Sequence, residues 1–226
     1  MKLTMRAVAA AGLGLLAAQG QAQTTSFDAV AQFSLTKNTA TSHWSYRYNT
    51  TGTRDGNYTL MPSSSPSGTQ WYKGTTPVAV SIWTQSGPGT SANIAANKRG
   101  AALTTNFCCG TVTWAKHSLY MNPAEPGDDV VSFLAPRSGA VTITYSFTDM
   151  DPYGGNGIRW YVDLNAGTTA DLASGALDST SAASLATTGV QTINISVHKG
   201  DRVNFIVDSN GDAAFDSTAV TATVAY

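Results

Sequence analysis

The sequence predicts an all-β protein, an antiparallel β-sandwich or jelly roll of about ten strands. Three observations carry that prediction. Polar and apolar residues alternate along many short runs, most cleanly in Val141-Thr142-Ile143-Thr144-Tyr145-Ser146-Phe147, as in a strand with one face buried and one wet. Turn residues separate these runs roughly every 8–12 residues. Beyond the N-terminal segment, no long stretch places apolar residues at the 3.6-residue spacing of a helix.

The strands are expected in the following order. Phe33-Ser34-Leu35 is short, and Trp44-Ser45-Tyr46-Arg47-Tyr48 alternates aromatic with polar. Tyr58 to Leu60, Val78 to Trp83, Val112 to Trp114 and Leu119 to Met121 follow. Val130 to Leu134 runs into a turn at Pro136 to Gly139, and Val141 to Phe147 comes next. Gly157 to Leu164 ends in a turn at Asn165 to Gly167, and Val190 to Val197 ends at Lys199-Gly200-Asp201. Val203 to Val207 leads into an acidic loop, and Ala219 to Tyr226 forms the last strand. The best helix candidate is a single turn at Asn93 to Arg99. Ala173 to Ala186 is rich in Ala and Ser but carries Gly175, which favours a loop or a short strand.

Lys2 and Arg6 followed by apolar Ala7 to Ala18 have the form of a secretory signal peptide, with cleavage expected after Ala22. The apolar run is too short to cross about 30 Å of hydrocarbon. Residues 23–226 are then expected to form one secreted β-sandwich domain, extracellular or periplasmic, with no insertion into a membrane. Charged residues make up only 12% of the chain and the net charge is −1, which argues against a nucleic-acid partner. The two cysteines, Cys108 and Cys109, are adjacent. A strained vicinal disulfide, an intermolecular bridge and free thiols all remain open, and a homo-oligomer with them.

Asp208, Asn210 and Asp212 alternate around Gly211, with Asp216 four residues on. Oxygen donors on a turning loop suit calcium, which takes six to eight of them. The alternative is an Asx-rich turn whose side chains bond their own backbone. Asp149 and Asp151 share a face in extended chain, as a glycosidase pair would, but residues so close in sequence usually serve turns or metals. Aromatic residues are many: Trp44, Tyr46, Tyr48, Trp71, Tyr72, Trp83, Trp114, Tyr120, Tyr153, Trp160 and Tyr161. Most would fill a sandwich core. Trp71 and Tyr72, after the loop of residues 62–70, and Tyr153, beside Gly154, Gly155 and Asn156, are the candidates for stacking on sugar rings. Asn156 and Arg159 would bind hydroxyls. His43, His117 and His198 stand in no metal-binding spacing.

Several segments together resemble a known family. They are Trp44-Ser45-Tyr46, Trp114 to His117, Phe133 to Gly139, Gly157 to Val162 with Asn165 to Gly167, Lys199 to Phe205, and Asp216-Ser217-Thr218. The pattern resembles secreted bacterial β-sandwich domains akin to carbohydrate-binding modules, as found in exosortase-sorted surface proteins, here without a sorting tail. The resemblance implies binding of a glycan or a cell-surface polymer; the residues themselves point to aromatic stacking and loop hydrogen bonds, with a loop that calcium could shape. A small polysaccharide hydrolase or lyase, and an extracellular matrix or filament subunit, are the alternatives.

Overall fold

The strand from Gly139 to Asp149 shows how the sequence pattern becomes structure: Val141, Ile143, Tyr145 and Phe147 are buried, while the threonines between them reach the surface side. The structure is a computed structural model that describes residues 24–34, 36–54, 56–61, 63–65, 81–84, 92–98, 100–107, 110–152, 154–165, 171–181 and 183–226. Sixteen strands occur among the described residues, none of which is helical. The first eight are Ser26–Asp28 (β1), Trp44–Tyr48 (β2), Thr59–Leu60 (β3), Ser63–Ser65 (β4), Ser81–Thr84 (β5), Asn93–Asn97 (β6), Leu103–Phe107 (β7) and Gly110–Trp114 (β8). The others are Ser118–Asn122 (β9), Asp128–Leu134 (β10), Gly139–Asp149 (β11), Ile158–Leu164 (β12), Ala173–Leu177 (β13), Gln191–Val197 (β14), Arg202–Asp208 (β15) and Thr218–Ala225 (β16).

Two antiparallel sheets stack into the expected sandwich. One runs β14-β11-β16-β9-β6-β5-β4, with β1 beside the far half of β16. The other runs β13-β12-β15-β10-β2-β3. Their inner faces meet in one core. Ile143, Phe147, Val220 and Val224 come from the first sheet, and Trp44, Phe133, Trp160, Val162 and Phe205 from the second. Phe147 stacks on Trp160 across the layers, with ring centroids 5.2 Å apart. The β7–β8 hairpin covers the outer face of the first sheet, where Leu103, Val112 and Trp114 pack on Ala95, Tyr120 and Ala219. Trp114 and Tyr120 stack there at 4.5 Å.

Two expectations are corrected. Asn93 to Asn97 is a strand, not a helical turn. It lies between β5 and β9 with both faces covered, Ile94 and Ala96 on the core and Ala95 under the hairpin. A strand buried on both sides loses the alternation that would mark it. Phe33 and Ser34 form no strand: Phe33 is buried against the Tyr46 ring, centroids 4.6 Å apart, as a loop residue. Ala173–Leu177 takes the short-strand alternative.

Candidate functional site

The second sheet and the loop from β15 to β16 build one polar end of the sandwich. Strand register places Arg159 of β12 beside Asp208 of β15, and Asp208 beside Asp128 of β10. Asn49 follows β2 directly. Its amide donates to Asp128 Oδ2 at 2.6 Å and to the Thr53 carbonyl at 3.0 Å. Its Oδ1 accepts from the Asp128 N–H at 3.0 Å and from the Thr51 and Gly52 N–H groups. Asn49 therefore holds the β10 entry and residues 51–53 together as one unit. Burial, and then the Asp208 carboxylate, push the Asp128 carboxyl above the usual carboxylate range.

The acidic loop takes the Asx-turn alternative in its first part. Asp208 Oδ1 accepts from the Asn210 N–H at 2.6 Å, and Asp212 Oδ1 from the Ala214 N–H at 2.9 Å. Asn210 and Gly211 have φ of 52° and 93°, the left-handed turn that Asn and Gly adopt most readily. Asn156 and Asn210 tie this turn to the β11–β12 connection: each side-chain amide donates to the other's carbonyl, at 2.8 and 3.1 Å.

Between these loops lies an open groove of about 490 Å³. Arg54, Arg159, Tyr161, Asp208 and Asn210 line it, with Gly52, Gly127 and Gly211 between them. Arg54 lies flat over the Tyr161 ring, 3.7 Å from its centroid, and pairs with Asp171 at 2.6 Å. Arg159 is exposed and has no hydrogen-bond or ion-pair partner among the described residues. The groove thus brings Arg159, Asp208 and Asn210 together, with Asn156 bonded behind Asn210. From the sequence, Asp208 and Asn210 belong to a metal loop and Asn156 and Arg159 to a sugar site; the fold puts them side by side.

Asp149, Asp151 and Asp216 sit deeper, at the junction with the first sheet. Asp149 pairs in register with Thr218. Its Oδ1 accepts from the Asp151 N–H at 3.1 Å and its Oδ2 from the Ser179 N–H at 2.7 Å. Asp151 Oδ2 accepts from the Ser217 N–H at 2.6 Å. Both carboxylates are buried and hold turns, and neither lines the groove. Asp216 is fully buried, and neither of its carboxylate oxygens has a hydrogen-bond partner. Burial, then the charges of Asp149 and Asp151, push its carboxyl up to about 9. Among the described residues no three carboxylate, imidazole or thiol groups form a preassembled metal cage.

Trp71, Tyr72, Tyr153, Cys108 and Cys109 lie outside the described residues. Of the other aromatics named above, Trp44, Tyr46, Trp114, Tyr120 and Trp160 are buried, Tyr48 and Tyr161 are half-buried, and nothing is described of the Trp83 side chain. Sequence reasoning missed Asn49, Arg54 and Asp128. A signal for the first was present: Asn49-Thr50-Thr51-Gly52 directly after a strand has the composition of an Asx turn.

No family model matches the chain, and no curated protein is similar to it in sequence. Among solved structures it is similar to the K3 adhesin domain of Lys-gingipain from Porphyromonas gingivalis. That match has a TM-score of 0.33 and 12% identity, over 50% of this chain and 74% of the other. It is also similar to family 35 carbohydrate-binding modules from Clostridium thermocellum (0.32, 15%, over 59% and 90%) and from Cellvibrio japonicus (0.33, 16%, over 59% and 92%).

Proposed function

We propose that the protein is a secreted, glycan-binding β-sandwich that holds its ligand in the groove lined by Arg54, Arg159, Tyr161, Asp208 and Asn210. The observation that carries this is the exposed Arg159 guanidinium, unpartnered among the described residues and set in an open cleft beside acceptor and amide side chains. A guanidinium, a carboxylate and a side-chain amide together match the vicinal hydroxyls of a sugar, donor to acceptor and acceptor to donor. The glycine backbones on the rim let a ligand approach the chain closely. Within the described residues, recognition is by hydrogen bonds rather than by an open aromatic plate, because Arg54 covers one face of Tyr161.

The test is a glycan and polysaccharide screen of the protein and of Arg159→Ala, with release of reducing ends measured in the same tubes. Saturable binding that the variant weakens about tenfold, the loss of about 1.4 kcal/mol, is the expected result. Failure of the protein to bind any glycan, or equal binding by the variant, would overturn the proposal. Release of reducing ends would favour a hydrolase instead, with the neighbouring Asp128 and Asp208 carboxyls as the first residues to substitute.

A further inference from the structure

We propose that a calcium ion binds at the junction of the two sheets, on Asp216 flanked by Asp149 and Asp151, and not on the Asp208–Asp212 turn. The proposal is independent of the glycan reading. Its starting point is Asp216: both carboxylate oxygens are sealed from solvent and neither meets a donor. Such a group is expensive to bury unless something compensates it.

The backbone explains why Asp149 and Asp151 are its neighbours. Asp149 is opposite Thr218 in the β11–β16 ladder, and the pairing continues beyond the strands. The Met150 N–H donates to the Ser217 carbonyl at 2.8 Å, and the Ser217 N–H donates to Asp151 Oδ2 at 2.6 Å. Residues 149–151 and 216–218 therefore run antiparallel, and Asp216 falls alongside Asp151. The charges that act most strongly on Asp216 are the carboxylates of Asp149, Asp151, Asp212 and Asp208, so the field there is that of an anion cluster.

Two species could settle the site. A proton would neutralise Asp216, but it would convert an orphaned acceptor into a buried O–H that finds no acceptor either. A cation satisfies both oxygens and is attracted by the flanking carboxylates as well. The donors are all oxygens, which excludes the nitrogen and sulfur ligation that zinc prefers. They come from two loops and a strand end rather than from an octahedral cage, which suits the six to eight flexible ligands of calcium better than the strict geometry of magnesium. The carboxylates do not yet converge, so backbone carbonyls and water would complete the sphere as residues 150–152 and 209–217 draw in around the ion. Asp208 and Asp212 each spend a carboxylate oxygen on their own turns, and Asp149 and Asp151 also accept backbone N–H groups; of these five carboxylates Asp216 alone has both oxygens unpartnered, which centres the site on it.

Calorimetric titration of the chelator-treated protein with calcium chloride comes first, paired with thermal melts in calcium and in chelator. One equivalent of calcium should bind, and the melt should rise by several degrees. Asp216→Asn should lower calcium affinity at least 100-fold, whereas Asp212→Asn should leave it within twofold. A wild-type protein that shows no binding heat and an identical melt in calcium and in chelator would overturn the proposal without any variant. Loss of binding in Asp212→Asn with retention in Asp216→Asn would overturn it too, by moving the ion to the turn. Should Asp216→Asn not fold, Asp151→Asn takes its place, and unchanged calcium affinity in that variant would count against the site.

Discussion

Replacing Asn49 with alanine should destabilise the protein far more than its size suggests. The side chain makes five hydrogen bonds: two to Asp128, one each to the Thr51 and Gly52 N–H groups, and one to the Thr53 carbonyl. Asp128 is fully buried, so its N–H would be left without an acceptor, at a cost of about 1–3 kcal/mol. The amide–carboxyl bond to Oδ2 contributes roughly another 1.5–3 kcal/mol. With partial relaxation of the loop bonds the loss comes to about 3–5 kcal/mol, which in a chain of this length is a fall in Tm of roughly 6–20 °C. Asn49→Asp sharpens the test. It keeps the acceptor for the three N–H groups but sets a second carboxylate against Asp128. At pH 8 it should melt below Asn49→Ala, and near pH 5, where the pair can share a proton, the gap should close. The readout is thermal unfolding by circular dichroism at both pH values, with glycan binding followed alongside. An Asn49→Ala protein that melts within about 2 °C of wild type would refute the reasoning, because the hydrogen bonds would then carry no net stability.

Further predictions follow from the same end of the molecule. Asp216 is protonated more readily in the folded chain, up to about 9, than in the unfolded chain, near 3.9. Folding therefore takes up a proton across that window, and in chelator stability should fall as the pH rises through it; Asp149 and Asp151, also raised by burial, act in the same direction. Urea melts that grow more stable from pH 5 to 8.5 in chelator would contradict this. Gly157→Ala should cost about 3 kcal/mol or more by urea unfolding, because φ there is +68° and an added Cβ would lie 2.3 Å from the Leu177 carbonyl oxygen. Ser179→Ala should cost about 2–3 kcal/mol: its hydroxyl donates to the Asp149 carbonyl and accepts the Ala186 N–H in a buried site, and a smaller loss would mean that water replaces it.

Val141 to Phe147 is legible because one face of the strand is wet and the period of two shows. Trp44 to Tyr48 shows the same alternation in sequence, although Ser45 between its aromatics is buried as well. Asn93–Asn97 does not, since a strand covered on both faces carries no period, and its paired alanines read as helix. β1 was missed because three residues are too few to show any pattern. For the candidate site, composition found the polar loops, and the structure shows what joins them. Asp208 and Asn210 were read as metal ligands and Arg159 as a ligand-binding residue, yet one groove holds all three. That grouping depends on cross-strand register, such as Arg159 opposite Asp208, which no local window of sequence contains. The partnership of Asn49 with Asp128 spans 79 positions and was invisible for the same reason.

The position of β16 has a consequence for how the protein is made. Strand Thr218–Ala225 lies inside its sheet, flanked by β11 along its whole length on one side and by β9 and then β1 on the other. Residues 26–28 therefore wait for residues 223–225, and the sheet cannot close until almost the whole chain has left the ribosome. Pairings of such sequence separation also slow the search for the native topology. Until β16 is added, the edges of β9 and β11 that it joins stay unpaired, open to pairing with the wrong strand.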